Sequence, residues 1–236
     1  RGFMQDGYGR EIDYLRLSVT DLCNYRCVYC MGPEGVAKRS HADILSIEEC
    51  VEIGRAAVAC GVRKIRVTGG EPLVRRGILE LCRGLREIPG LAELCLTTNG
   101  SRLEELAAPL RQAGVDRLNI SLDTLTRQGR LSDVLRGIAA AEEVGFQNLK
   151  LDTVLMGGFN DDEIGDFLRL TLDHPWEVRF IELMPIGPCT AWNPSRFLST
   201  DMVLERFPTL RPLAAQGVAR RYRLPGAKGA VGLISP

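Results

Sequence analysis

The sequence predicts an α/β fold: a partial (β/α)6 barrel of the TIM type with a C-terminal appendage. Three observations predict it. Six short apolar runs alternate with five segments of helical period. Gly61, Gly114 and Gly145 fall where helix C-termini belong. Polar residues gather just after the strands, at the rim where parallel β/α sheets bind their ligands.

In chain order, the strand at 14–20 runs into a cysteine-rich loop. A doubly wound nucleotide fold would place a glycine-rich turn there. Ser46 followed by Glu49 is a capping-box signature that starts a helix over 46–60. The strand at 64–68 ends in Thr68-Gly69-Gly70-Glu71-Pro72 and precedes a helix over 74–88. The strand at 93–98 ends in Thr97-Thr98-Asn99-Gly100 before a helix over 102–113. The strand at 117–122, ending in Ser121-Leu122-Asp123, precedes a helix over 131–144. A fifth strand at 148–155 and helix at 161–172 lead to a sixth strand at 177–184, which ends in Glu182-Leu183-Met184-Pro185. Strands this continuously apolar imply a parallel sheet covered by helices.

From Ile186 the alternation stops. A short helix at 200–206 and two strands at 219–224 and 230–234, joined by Pro225-Gly226-Ala227-Lys228-Gly229, read as an appendage packed on the barrel. The barrel core is thus expected over 1–185 and the start of a covering region over 186–236. The end at Pro236, just after an apolar strand, reads as a cut.

Thirty basic and thirty acidic residues cancel in this 236-residue chain, so no global field argues for nucleic acid or membrane partners. No apolar run is long enough to span a bilayer and no signal-peptide pattern opens the sequence, so the expected location is cytoplasmic. Eight cysteines, unevenly spread, do not make a disulfide scaffold. Cys50, Cys60, Cys82 and Cys95 lie in amphipathic helical stretches or an apolar strand and read as buried structural thiols.

Cys23, Cys27 and Cys30 need another explanation. Three thiolates spaced Cys-x3-Cys-x2-Cys on one loop suit three corners of a cubane iron–sulfur cluster, which leaves one iron open for a ligand. A structural zinc site normally takes four ligands, and His41 is the nearest candidate for a fourth. Two classes of function remain open at this point: an enzyme built on an open cluster, or a nucleotide-binding module with a structural metal. Gly69-Gly70-Glu71-Pro72 favours the enzyme, since glycines admit close backbone approach and Glu71 could accept a hydrogen bond from an ammonium.

The cysteine triplet, with Tyr29 just before Cys30, resembles the signature of the radical S-adenosylmethionine (SAM) superfamily, and Gly69-Gly70-Glu71-Pro72 resembles that family's second motif. Nearly the whole chain is similar to the GTP cyclases that begin molybdenum cofactor biosynthesis. The residues carrying this are Tyr14-Leu15-Arg16-Leu17-Ser18-Val19-Thr20-Asp21, Lys64-Ile65-Arg66-Val67-Thr68, Leu96-Thr97-Thr98-Asn99-Gly100 and Asn119-Ile120-Ser121-Leu122-Asp123-Thr124. Asn160-Asp161-Asp162-Glu163, Arg179-Phe180-Ile181-Glu182-Leu183-Met184-Pro185-Ile186-Gly187 and Pro225-Gly226-Ala227-Lys228-Gly229 continue the match in order.

The resemblance implies a [4Fe-4S] cluster on Cys23, Cys27 and Cys30, whose open iron chelates SAM, and a 5'-deoxyadenosyl radical that takes a hydrogen atom from GTP. It implies SAM contacts at Tyr29, Gly70, Glu71, Ser121 and Met184, and GTP contacts at Arg16, Arg66, Thr97 and Lys150. Fixed cations beside barrel strands also suit a triphosphate on bare physical grounds. The family carries a second cluster on three C-terminal cysteines and a Gly-Gly tail. Lone Cys189 cannot supply that cluster, so its ligands are expected in residues missing from this sequence. The connection 125–130 is shorter than the family's usual one. A flavodoxin or ferredoxin as electron donor and a homodimer complete what the resemblance implies. A sister radical SAM enzyme with another substrate is the alternative within the class.

Overall fold

Leu15 and Leu17, Ile65 and Val67, and Leu94 and Leu96 recur at every second position of three successive strands, and all but the half-buried Leu15 are buried. This alternation, in a computed structural model, organises the fold. The structure describes residues 3–24, 43–127 and 131–236. These form two compact units, one holding residues 3–24, 43–118 and 132–147, the other 119–127, 131 and 148–236.

In the first unit, β1 (Tyr14–Ser18), β2 (Lys64–Thr68) and β3 (Glu93–Thr98) pair in parallel, with Arg16 opposite Arg66 and Arg66 opposite Cys95. The intervening helices are α1 (Ile47–Ala59), α2 (Ile78–Arg86) and α3 (Leu103–Gln112). The capping box that starts α1 is complete: Ser46 Oγ accepts from Glu49 N at 3.0 Å while Glu49 Oε2 accepts from Ser46 N at 2.8 Å. Helices α1 and α2 approach closely, since a Cβ on Gly54 would meet Leu85 Cδ2 at 2.6 Å and one on Gly84 would meet Val51 Cγ2 at 2.7 Å. Gly61, Gly114 and Gly145 carry positive φ (106°, 95° and 96°) just past helix ends, as the sequence predicts. Helix α4 (Leu131–Glu143) lies almost wholly in this unit.

The second unit is built on β4 (Arg117–Ser121, in this unit from Asn119), β5 (Lys150–Leu155) and β6 (Glu177–Glu182), all parallel. Helix α5 (Ile164–Asp173) packs Phe167 edge-on against Phe180 of β6, with ring centroids 6.1 Å apart. After α6 (Asp201–Arg206) come β7 (Arg211–Pro212), β8 (Arg220–Arg223) and β9 (Ala230–Ile234).

Three expectations change. The strands are not apolar on both faces: Tyr14, Arg16, Lys64, Arg66, Glu93 and Thr97 occupy the alternate positions, so each strand has one polar face. The residues after 186 supply more than a packed appendage, because β9 pairs in parallel with β6 and β8 returns antiparallel to β9. Cys60 is exposed, since it caps α1 beyond the buried stripe, whereas Cys50, Cys82 and Cys95 are buried as expected.

Replacing Ser46 by Ala should lower stability by about 0.5–2 kcal/mol, the usual cost of a lost N-cap. The check is a shift in the urea midpoint with an unchanged slope; an unmoved midpoint would deny the capping box any weight.

Candidate active site

Beyond β1 the chain continues alongside the end of β2. Val19 N donates to Thr68 O (2.9 Å), Gly70 N to Thr20 O (2.7 Å) and Glu71 N to Leu22 O (2.8 Å). These bonds carry the backbone to Cys23. The two glycines are needed for this contact: a Cβ on Gly69 would lie 2.6 Å from Thr20 O, and one on Gly70 2.2 Å from Leu22 O. In the structure the glycines admit the strand end that delivers the first cysteine. Arg75 reinforces the same place, donating to Val19 O and Leu45 O at 2.6 Å each, one on either side of the cysteine loop.

Glu71 is 1% exposed, and its carboxylate accepts from Thr98 Oγ1 (2.6 Å), Asn99 N (2.6 Å) and Leu73 N (3.2 Å). It therefore binds the turn after β2 to the end of β3. All three donors are the protein's own. Burial outweighs these donors and holds the Glu71 carboxyl above the ordinary glutamate range.

Arg16, Arg66 and Thr97 come together on the polar face of β1–β3. Arg66 is 8% exposed, yet its guanidinium bonds only hydroxyls, Tyr14 Oη at 3.0 Å and Thr97 Oγ1 at 3.2 Å. No carboxylate of the described residues lies within ion-pairing distance of it. Arg16 is exposed opposite it in register. Lys64 pairs with Glu93 at 3.8 Å. Glu93 is thus paired by both Lys64 and Arg117 (3.3 Å), while Arg16 and Arg66 share the face beside them.

In the second unit, Ser121 ends β4 opposite Asp152. Asp152 takes a bidentate pair from Arg179 (2.6 and 2.8 Å) and a hydrogen bond from Asn119 (3.1 Å). Lys150 stands 4.0 Å from Glu177, a carboxylate that also holds Arg221 at 2.5 Å. Met184, 45% exposed, helps line a cavity of about 320 Å³ with Val154, Ile181, Leu183, Ile186 and Cys189. Its wall is mostly apolar, with Glu182 at one side.

Asn160 and Glu163 serve the framework. Asn160 Nδ2 donates to Asp123 O and Val154 O (2.8 Å each), and buried Glu163 gathers Thr124, Leu125, Thr126 and Arg127.

Tyr29, Cys27 and Cys30 lie outside the described residues; Cys23 is half-buried. Its neighbours fit a ligated sulfur, because the Asn99 amide nitrogen lies 4.0 Å from Cys23 Sγ. Burial pushes the Cys82 and Cys95 thiols up to about 12, which leaves both inert as ligands. No group of three or more His, Cys, Asp or Glu side chains that could hold a metal occurs among the described residues. The side chains of Asn24, Asn99 and Ser101, which interlock beside Cys23, escaped the sequence reading. Their signal was an Asn directly after the first cysteine and an Asn-Gly-Ser at a strand end.

Glu71→Gln should cost roughly 1–3 kcal/mol, because its amide sets a donor against donors. With the folded-state value raised, the carboxyl's contribution is fully present below the ordinary glutamate range and is lost as pH rises through the raised value. The stability gap between wild type and variant should therefore be widest at acid pH and narrow toward neutrality in parallel denaturant titrations. A gap that widens with pH would contradict the assignment.

Residues 17–171 match the family model described as Radical SAM superfamily. The chain is 52% identical over 248 residues to the GTP 3',8-cyclase of Peptoclostridium acidaminophilum, covering 100% of this chain and 76% of that protein. It is 51% identical over 244 residues to the GTP 3',8-cyclase of Geobacter sulfurreducens, covering 98% and 74%. Among solved structures, Streptococcus suis SuiB bound to precursor peptide SuiA superposes with a TM-score of 0.63 at 18% identity, covering 83% of this chain and 45% of that one. HydG, a maturase of the [FeFe]-hydrogenase, gives 0.60 at 14% identity over 82% of this chain and 47% of that one. At such identities these two show the fold alone, an α/β partial barrel, and the chain spans less than half of either. By the family model and by identity along its whole length, the chain belongs to the radical SAM superfamily and, within it, to the GTP 3',8-cyclase family.

Proposed function

We infer that this chain is a radical SAM GTP 3',8-cyclase, a lyase that cyclises GTP in the first step of molybdopterin biosynthesis. Identity of 52% to a curated cyclase supports the reaction. The observation in the structure that carries the reading is Arg66: a buried guanidinium met only by hydroxyls, beside exposed Arg16, is half of an anion site. When bound, the [4Fe-4S] cluster supplies one-electron reductive cleavage of SAM.

The chain's own residues do the rest. Cys23, with Cys27 and Cys30, holds the iron. The bonds from Gly70 and Glu71 to Thr20 and Leu22 fix where Cys23 stands. Gly70, Glu71, Ser121 and Met184, together with Tyr29, form the SAM-facing set in this reading, and Arg16, Arg66, Thr97 and Lys150 bind GTP. Thr97 holds the Arg66 guanidinium ready, so little side-chain entropy is lost when a phosphate arrives. Lys150 shares the Glu177 carboxylate with Arg221. Among the described residues no helix is long and apolar enough to cross a membrane. The family resemblance supports a flavodoxin- or ferredoxin-type electron donor, a homodimer and a cytoplasmic location as parts of the same reading.

Cys23→Ser, Cys27→Ser and Cys30→Ser should each abolish 5'-deoxyadenosine formation; normal formation by any one would sink the ligand set. Arg16→Ala, Arg66→Ala and Lys150→Ala should each weaken GTP binding by roughly 1.5–3 kcal/mol, the range for charged hydrogen bonds, with SAM cleavage largely kept. Calorimetry that finds all three at wild-type GTP affinity would return these cations to structural pairing.

A further inference from the structure

We propose that the Asn99 amide donates an N–H···S hydrogen bond to Cys23 and so raises the reduction potential of the cluster that Cys23 ligates. The proposal rests on the reading of Cys23 as a cluster ligand. It makes Asn99 a positioning residue, one that acts through the sulfur.

The argument begins with the direction of the amide. Ser101 N donates to Asn99 Oδ1 at 3.0 Å, and a backbone N–H can only donate, so this end of the amide is the oxygen. Ser101 Oγ donates to the same oxygen at 2.7 Å. Nδ2 must then face the other way, toward Asn24 Oδ1 at 2.8 Å. Asn24 Nδ2 in turn donates to Ser101 Oγ at 2.8 Å, which closes a ring of three side chains, each donating to the next. The ring consumes one of the two hydrogens on Asn99 Nδ2. Cys23 Sγ lies 4.0 Å from that nitrogen, within reach of the second.

The backbone under the ring is fixed as well. Asn99 N donates to Glu71 Oε2 at 2.6 Å, and the neighbouring Thr98 hydroxyl donates to Glu71 Oε1 at 2.6 Å. The second-motif acid thereby reaches the first cysteine through one intervening residue. A thiolate on an iron–sulfur cluster carries negative charge, and an N–H dipole aimed at it stabilises the added electron; hydrogen bonds to the sulfurs are among the terms that set cluster potentials. The position of Asn24, next in sequence to Cys23, also ties the ring to the loop it serves.

The test is an EPR-monitored redox titration of the reconstituted full chain without SAM or GTP. Asn99→Asp keeps an oxygen for Ser101 and puts an anionic oxygen where the donor stood; its midpoint should move to lower potential than wild type at equal iron content. Ser101→Ala opens the ring but leaves the Asn99 amide in place, and should produce a smaller shift in the same direction. Unmoved midpoints in both variants, with full clusters, would overturn the proposal. If Asn99→Asp retains no cluster, Ser101→Ala decides alone, and an unmoved midpoint there overturns it. A wild-type protein that takes up no iron overturns the cluster reading itself and the proposal with it.

Discussion

The Glu71 carboxylate is the tie on which the first unit's rim depends. A carboxylate taken out of water is costly unless donors replace the lost hydration, and Glu71 collects its donors from two places, the turn after β2 and the end of β3. One buried group thereby fixes two strand ends. The adjacent glycines fix a third, because with no side chains at Gly69 and Gly70 the backbone of β1 comes within hydrogen-bonding distance. The ends of β1, β2 and β3 are thus held as one frame by a four-residue motif, and Cys23 is delivered at its edge.

The second unit repeats this logic with other residues. Buried Glu163 gathers the segment after β4, and Asn160 saturates the carbonyls of Asp123 and Val154. Between such frames the strands are free to carry charge on one face while their apolar face packs against helices. Asp152 with Arg179 is fully paired in geometry, whereas Arg66 is satisfied by hydroxyls alone. That contrast in partners distinguishes the two cations more sharply than sequence position does. Both kinds lie on strands.

The strands were legible because β-branched and leucine-rich runs bounded by glycine admit few other structures. Lys64–Thr68, Glu93–Thr98 and Ala230–Ile234 match the expected bounds at both ends. The polar strand face was hidden by composition, since residues such as Arg66 and Cys95 were read singly and not as one face across three strands. The pairing of β9 with β6 is a contact between segments far apart in the chain, which no local pattern encodes. The site was legible as a set of residue types, with Cys23, Gly70 and Arg66 all named from motifs. What Glu71 bonds to was not legible, because it depends on where Thr98 and Asn99 fall in three dimensions.

The pairing of β9 with β6 also bears on how the chain is made. β6 receives one parallel neighbour, β5, as soon as it is synthesised, but its other edge waits until Ala230–Ile234 has left the ribosome and folded back. During that interval a strand containing Val178, Phe180 and Ile181 presents unsatisfied amides and carbonyls along one side, the arrangement that recruits strands from other molecules. The segment between β6 and β9 therefore has to fold back before the second edge of β6 is covered.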